Sequence, residues 1–90
     1  MEIGGKWSIL VIYSGFSVDT EHLLLEAAGR DPINQSYDPH EGRRWIEFQY
    51  KTEAAARAAR RRMQSAKREI EPAWKRPWVS PVRCDDYIGG

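Results

Sequence analysis

The segment from residue 41 to residue 63 constrains the fold most strongly, because a strand pattern runs directly into a helix pattern. Its first part, Arg43–Tyr50, alternates with the period of two that is typical of a strand with one buried face. Thr52 has the short polar side chain preferred at a helix N-cap, and Glu53 follows in the first turn, where an acid is favoured. The segment therefore predicts a strand, a tight connection and a helix.

The predicted second helix has a narrow apolar side made mainly of alanine. At about 100° per residue, five side chains fall within an arc of about 80° and are expected to be buried: Ala55, Ala59, Met63, Ala66 and Ile70. Small residues on this side would let the helix lie close to a sheet. Pro72 is expected to end the helix, because proline has no N–H to donate.

The opposite side of the same helix is basic. Six Lys or Arg lie between residues 57 and 68 with no acid among them, and five of the six are Arg. Guanidinium groups form bidentate pairs, which favours contact with phosphates or with an acidic protein surface. The alternatives are a solvated helix face and pairing with the acidic region around the first helix. The basic side holds Arg57, Arg60, Arg61, Lys67 and Arg68, whereas Arg62 falls at the edge of the apolar stripe, where its head can reach water.

The net charge of +1 hides an uneven distribution. Residues 1–42 carry two Lys or Arg and seven Asp or Glu, whereas residues 43–83 carry twelve Lys or Arg and four Asp or Glu. An acidic half is thus followed by a basic half.

The acidic half predicts a strand, a helix and a second strand. Residues 7–13 are rich in β-branched and aromatic side chains and read as a central strand. Asp19 is the expected N-cap of the first helix, and Gly29 is the expected left-handed stop. Residues 33–37 form a weaker strand candidate, and residues 38–42 have the Pro and Gly of a tight turn.

The C-terminal part holds three of the five prolines between residues 72 and 81. It predicts either an extended arm or a last edge strand over residues 78–83, where proline is tolerated. Trp74 and Trp78 flank Lys75 and Arg76. Aromatic side chains interleaved with cations suit stacking on bases or on a partner's groove. The alternative is that both Trp residues fold back over the sheet or the small core.

The element order predicts a single α+β domain over residues 1–90, with its core in about residues 7–71 and the arm or edge strand in 72–88. Strand, helix, strand, strand, helix, strand is the ferredoxin-like, or split βαβ, order. We expect a sandwich in which two helices cover one face of a four-stranded antiparallel sheet. Ile46, Phe48 and Tyr50 share one side of the third strand; if that side faces the helices, Trp45 lies on the open face.

The third predicted strand resembles the corresponding strand of RNA recognition motif domains at Gly42, Trp45, Ile46 and Phe48. It departs from that pattern at Glu41, Arg43 and Arg44, and Val11 stands where the family has its other stacking aromatic residue. The resemblance covers about residues 7–83 and implies a shared fold. It does not carry RNA binding over to this chain.

The motifs of enzymes, metal sites and membrane proteins are absent from the sequence. His22 and His40 have no nearby ligands at metal-binding spacing, and the two acids beside Cys84 do not favour a reactive thiol. No phosphate loop or nucleophile elbow occurs. No secretory signal is recognised, and the terminal pair Gly89-Gly90 is interpreted as a frayed end. We therefore expect no cofactor, no metal, no membrane span and a cytoplasmic location, which also fits a single cysteine.

The sequence favours a small non-enzymatic interaction module that binds a protein or nucleoprotein, of the accessory or inhibitor type that phages also encode. The alternatives are direct RNA or DNA binding and a small dimeric enzyme that uses Tyr13, Tyr37, His40 and Glu47. Self-association into a homodimer is expected through an open sheet face. The predicted partner-binding residues are Arg43, Trp45, Arg57, Arg60, Arg61, Arg68, Trp74, Lys75, Arg76 and Trp78.

Overall fold

Alternating and continuous apolar segments of the sequence become the strands of one antiparallel sheet, and two helices complete an α+β fold. The computed structural model describes residues 6–84. Two short 3₁₀ turns, Lys67–Glu69 and Ala73–Lys75, follow the second helix. The elements are β1 Trp7–Ser14, α1 Val18–Ala28, β2 Asn34–Asp38, β3 Arg43–Tyr50, α2 Glu53–Ala66, β4 Trp78–Val79 and β5 Arg83–Cys84.

The sheet has five strands rather than the four expected. Its order is β2-β3-β1-β4, and β5 pairs with the beginning of β1. The predicted last strand is divided because Pro81 has no N–H for the ladder. At the division, Ser80 keeps the segment bonded to β1. Its backbone N–H donates to Leu10 O at 2.9 Å, and its Oγ accepts from Leu10 N–H at 2.9 Å.

One face of the sheet carries the core and is called the helix face. Along the β1–β3 pair, Ile9 lies opposite Phe48 and Val11 opposite Ile46, and all four side chains are buried. This confirms the prediction that Ile46, Phe48 and Tyr50 share a buried side. Side chains of both helices join the same cluster: Leu24, Ala27 and Ala28 from α1, and Ala56, Ala59 and Met63 from α2.

The apolar stripe of α2 is displaced by one residue from the prediction at its start. Ala56 is buried, whereas Ala55 is exposed. Residues 54–56 are all alanine, so composition alone cannot choose which of them faces the sheet. The helix also ends at Ala66, a turn earlier than expected, and Ile70 has extended backbone angles of φ −86° and ψ 124°. Ala66 and Ile70 are half-buried.

The structure corrects the predicted N-cap of α1 and confirms the predicted N-cap of α2 and C-cap of α1. Ser17, not Asp19, caps α1, since its Oγ accepts from Thr20 N–H at 3.3 Å. Asp19 lies in the first turn instead. Thr52 caps α2 by accepting from Ala55 N–H at 3.1 Å, and Gly29 has the predicted left-handed conformation with φ 74°.

The two helices of residues 6–84 have 11 and 14 residues, and neither has the length and apolarity needed to cross a bilayer. Residues 85–88 of the predicted arm and the Gly89-Gly90 pair lie outside the described residues.

Candidate partner-binding surface

The face of the sheet opposite the helices, called the open face, carries a row of three large apolar side chains. Trp45 on β3 and Trp78 on β4 both pair with Ile12 on β1, one from each side. Lateral neighbours in a sheet project to the same side, so the three side chains stand together. Trp45 is 37% exposed, Trp78 is 53% exposed, and Ile12 between them is half-buried.

Two opposite charges stand on either side of Trp45 along β3. Arg43 and Glu47 are two residues away in opposite directions, so they share the open face with Trp45. Arg43 reaches Glu41 at 3.7 Å in an exposed pair, which contributes little to stability. Glu47 is half-buried beside a shallow hollow of about 250 Å³ that is also lined by Leu10, Asn34, Ser36, Trp45 and Arg83.

The basic residues of α2 and of the 3₁₀ turn that follows it divide into cations with partners inside the chain and cations that face solvent. Arg60 donates from Nε to Ser80 O at 2.8 Å, which ties α2 to the end of β4. Arg57 pairs with Glu53 one turn earlier, at 2.6 Å. Arg61 and Arg68 are exposed, and their side chains form no hydrogen bond or ion pair within residues 6–84.

A further arginine of α2 caps the first helix. Arg62 donates from Nε to Ala27 O at 2.7 Å and from Nη2 to Ala28 O at 3.4 Å. These carbonyls lie in the last turn of α1, where a cation is favoured by the helix dipole and orphan acceptors need donors. One alternative for the basic helix was pairing with the acidic region around the first helix. Arg62 does reach α1, but it contacts backbone carbonyls instead of acidic side chains.

The Trp- and Pro-rich segment is held to the domain by its cations. Arg76 donates from Nε to Ile70 O at 2.9 Å and pairs with Glu71 at 2.9 Å, while Lys67 donates to Pro77 O at 3.3 Å. Burial and the nearby charges of Arg60 and Arg76 lower the pKa of Lys67. The segment up to Cys84 is therefore a docked edge and not a free arm.

The two Trp residues of this segment lie on different surfaces. Trp78 joins the open face, whereas Trp74 is 74% exposed at a cleft of about 570 Å³ between the start of α1 and the turn that follows α2. The ammonium group of Lys75 lies 5.5 Å from the centre of the Trp74 ring. Phe16, Leu23 and Ile70 are among the apolar residues lining the same cleft.

A polar cluster fastens α1 to β3 on the helix face. Arg44 donates from Nε and Nη2 to the two oxygens of Glu21, and Tyr13 donates its hydroxyl to Glu21 Oε2. Burial and the hydrogen bond to Glu21 raise the pKa of Tyr13 to about 12. Burial alone would raise the pKa of Glu21, but the hydrogen bonds from Arg44 and Tyr13 and the charge of Arg44 hold it below its ordinary value.

The four side chains suggested for a small enzyme do not converge. Tyr13 is buried on the helix face, Tyr37 meets Phe16 edge-on at 6.3 Å between ring centres, and Glu47 is on the open face. His40 lies in the turn after β2, where its backbone N–H donates to Asp38 Oδ1. Within residues 6–84, no three His, Cys, Asp or Glu side chains are grouped closely enough to hold a metal ion.

Of the ten predicted partner-binding residues, the structure brings together Arg43, Trp45 and Trp78. It adds Ile12 and Glu47, which were not among the predicted partner-binding residues. Ile12 lies in a continuous apolar run, so a period of two could not show which of its neighbours face the helices. The alternation along β3 did indicate the position of Glu47, since Glu47 lies on the same side of the strand as Trp45.

Comparison of the chain with protein-family models, with curated proteins and with solved structures found no match.

Proposed function

We propose that this chain is a non-enzymatic interaction module that binds a protein partner through the open face of a ferredoxin-like sheet. The observation that carries the proposal is the exposed row of Trp45, Ile12 and Trp78 across three neighbouring strands. Tryptophan is among the residues that contribute most to protein interfaces, because it places a large, rigid apolar area in contact at a small entropic cost.

The ferredoxin-like part of the proposal is supported by the strand order. β1 and β3 lie in the centre, α1 connects β1 to β2, and α2 connects β3 to β4. β4 and β5 both pair with β1 on the same edge and together take the place of a fourth strand that is divided at Pro81. The arrangement places the helices on one layer and leaves the other face of the sheet for a partner.

A protein partner is favoured by the charges around the row. Arg43 and Glu47 have opposite signs, and the four arginines of α2 belong to a helix that packs on the other side of the sheet. Three of the α2 cations, Arg57, Arg60 and Arg62, already have partners within the chain. An apolar centre with few charges at its edge is the usual composition of a protein interface.

Two solvent-facing arginines, one on α2 and one in the 3₁₀ turn that follows it, extend the proposal to an acidic or nucleoprotein partner. Arg61 and Arg68 lie away from the open face, so a partner that contacts them would meet a second surface of the domain. Trp74 and Lys75 belong to a third surface, at the cleft beside α1. We assign the principal contact to the open face, because its two Trp rings and Ile12 stand side by side on three neighbouring strands of the sheet.

Direct binding of single-stranded RNA or DNA is the second candidate. It is favoured by one observation, the pair of Trp rings on the sheet surface, since bases stack on such aromatic platforms. Titration of labelled oligonucleotides at two salt concentrations tests it. Binding that weakens steeply with salt and is lost in a Trp45→Ser/Trp78→Ser variant would favour this candidate over the first.

The proposal places the protein in the cytoplasm, where its single cysteine, Cys84, would remain reduced.

The principal proposal is tested by affinity capture from the native host with three tagged baits. The baits are the wild-type chain, the Trp45→Ser/Trp78→Ser variant and a Trp74→Ser control, which removes an equally large exposed ring from a different surface. We expect proteins that are captured by the wild type and the control to be lost from the double variant. Equal capture by all three baits would contradict the proposal. A partner that is lost only from the Trp74→Ser bait would also contradict it.

A further inference from the structure

We propose that the partner on the open face is a second copy of this chain, related by a two-fold axis that runs along the Trp45–Ile12–Trp78 row. The inference rests on the proposed function, because it names the protein that the open face binds. It is carried by the order of charges along β3, which makes the face complementary to itself.

The first element of complementarity is the row. A two-fold axis that lies in the plane of the interface, across the strands, returns every residue of the row to its own position. Trp45, Ile12 and Trp78 of one copy then meet the same residues of the other. Such an interface is isologous, the kind found in most homodimers, and two faces packed in this way bury both Trp rings of each copy.

The second element is the pair of charges beside the axis. Arg43 and Glu47 are each two residues from Trp45, on opposite sides, so each lies about 7 Å from the axis. Rotation about the axis exchanges these two positions. Arg43 of one copy is therefore placed against Glu47 of the second copy, and the same contact occurs twice in the dimer. If the sign of the charge at either position were reversed, both contacts would join like charges and be repulsive.

The other residues near the axis are compatible with this arrangement. On β1, Ser14 and Leu10 lie two residues from Ile12 on either side, and neither is charged. Arg83 on β5 pairs with Ser8, four residues from Ile12 along β1. Because β5 lies on the same side of β1 as β4, the rotation would place Arg83 past the start of β4 in the second copy, at a level beyond Ser14. On β2, Asp38 pairs with Arg43 and Asn34 pairs with Glu47, so the rotation places Asp38 opposite the uncharged Asn34 of the second copy.

The experiment is sedimentation velocity of the full chain and of charge-reversal variants, from about 1 to 500 µM. We expect the wild type to form dimers. Arg43→Glu places acids at both positions and Glu47→Arg places cations at both, so each single variant should raise the dimer dissociation constant by about a hundredfold, since juxtaposed like charges are strongly unfavourable. The Arg43→Glu/Glu47→Arg double variant should dimerise like the wild type.

The most discriminating measurement uses a mixture of the two single variants. The Arg43→Glu chain has two acids where the Glu47→Arg chain has two cations, so an equimolar mixture should form a heterodimer although each component alone is monomeric. Arg57→Glu, a reversal on α2 away from the face, serves as the control and should leave the dimer unchanged. Circular dichroism of every variant checks that the fold is kept.

A monomeric wild type over the whole concentration range would overturn the inference, as would single variants that dimerise normally or a mixture that stays monomeric. The proposed function is judged separately by the capture experiment. The wild type could prove monomeric while the Trp45→Ser/Trp78→Ser variant fails to capture the partner that the wild type captures. The open face would then bind a different protein, and only the proposal of a homodimer would fail.

Discussion

Arg44 on β3 and Glu21 on α1 form a bidentate ion pair, in which Nε lies 2.9 Å from Oε2 and Nη2 lies 2.8 Å from Oε1. The two side chains are only 10% and 12% exposed, so the pair is largely shielded from solvent. Arg44 also donates to Gln35 Oε1 at 2.8 Å and lies over the ring of Phe16. One arginine thus connects α1, β2 and β3.

We predict that Glu21→Gln lowers the free energy of unfolding by about 2 kcal/mol, because it leaves the buried guanidinium of Arg44 without its counter-charge. The control is Glu53→Gln, which makes the same chemical change in the exposed Glu53–Arg57 pair, where the side chains are 44% and 60% exposed. There the cost should be about 0.5 kcal/mol or less. Urea unfolding of the three proteins measures both values, and equal losses would contradict the assignment.

The same pair predicts a loss of stability in acid. The pKa of Glu21 is lower in the folded chain than in the unfolded chain, despite its burial, because Arg44 and Tyr13 stabilise the carboxylate. As the pH falls, Glu21 therefore takes up its proton at a higher pH in the unfolded chain than in the folded chain. The contribution of the pair is complete above the ordinary carboxyl pKa and is lost as the pH falls through the lowered pKa of Glu21.

Urea unfolding at several pH values between about 7 and 3 measures this dependence. Glu21→Gln should be less sensitive to pH over the acidic part of the range than the wild type. Parallel curves for the two proteins would show that the ionisation of Glu21 is not linked to folding.

Neighbouring arginines on α2 should differ sharply in their effect on stability. Arg60→Ala removes the hydrogen bond to Ser80 O and Arg62→Ala removes the cap on α1, so each should cost about 1 kcal/mol. Arg61→Ala removes a solvent-exposed side chain and should change stability by less than about 0.5 kcal/mol. Thermal and urea unfolding distinguish the three, and a cost for Arg61 equal to that of its neighbours would count against the contacts described.

The open face should contribute to binding without contributing much to folding. Trp78→Ser removes a side chain that is 53% exposed and should change the free energy of unfolding of the monomer by less than about 1 kcal/mol. Phe48→Ala on the opposite face of the sheet removes a fully buried ring and should cost about 3–5 kcal/mol. Urea unfolding at low protein concentration, where self-association is absent, makes the comparison. A comparable loss for Trp78 would make it a core residue instead of a contact residue.

Sequence patterns were most informative where the physical signal is local. Arg43–Tyr50 forms the predicted strand with the predicted buried side. Thr52 occupies the N-cap that its hydroxyl favours, and Gly29 occupies the left-handed C-cap that a residue without a Cβ favours. Each of these choices depends on a few neighbouring residues. Ser17 shows the limit of such signals, since Ser17 and Asp19 are both good N-caps and the geometry of the preceding loop selects between them.

The candidate site could be predicted only in part. Alternation along β3 was enough to place Trp45 on the open face, but the partners of Trp45 across the sheet depend on how β1 and β4 are aligned. Ile12 and Trp78 are 66 positions apart in the chain and become neighbours only through the pairing of their strands. No local pattern contains that register.

The sequence by itself determined the order of the main elements, the caps at Thr52 and Gly29 and the buried side of β3, because these follow from side-chain chemistry over a few residues. Only the tertiary structure decided what the arginines do. Arg44, Arg60 and Arg62 have the same side chain as Arg61, yet three of them reach acceptors on other elements and Arg61 reaches none within residues 6–84. A guanidinium group has the same charge everywhere, and its role depends on which acceptors the packed chain brings within hydrogen-bond distance.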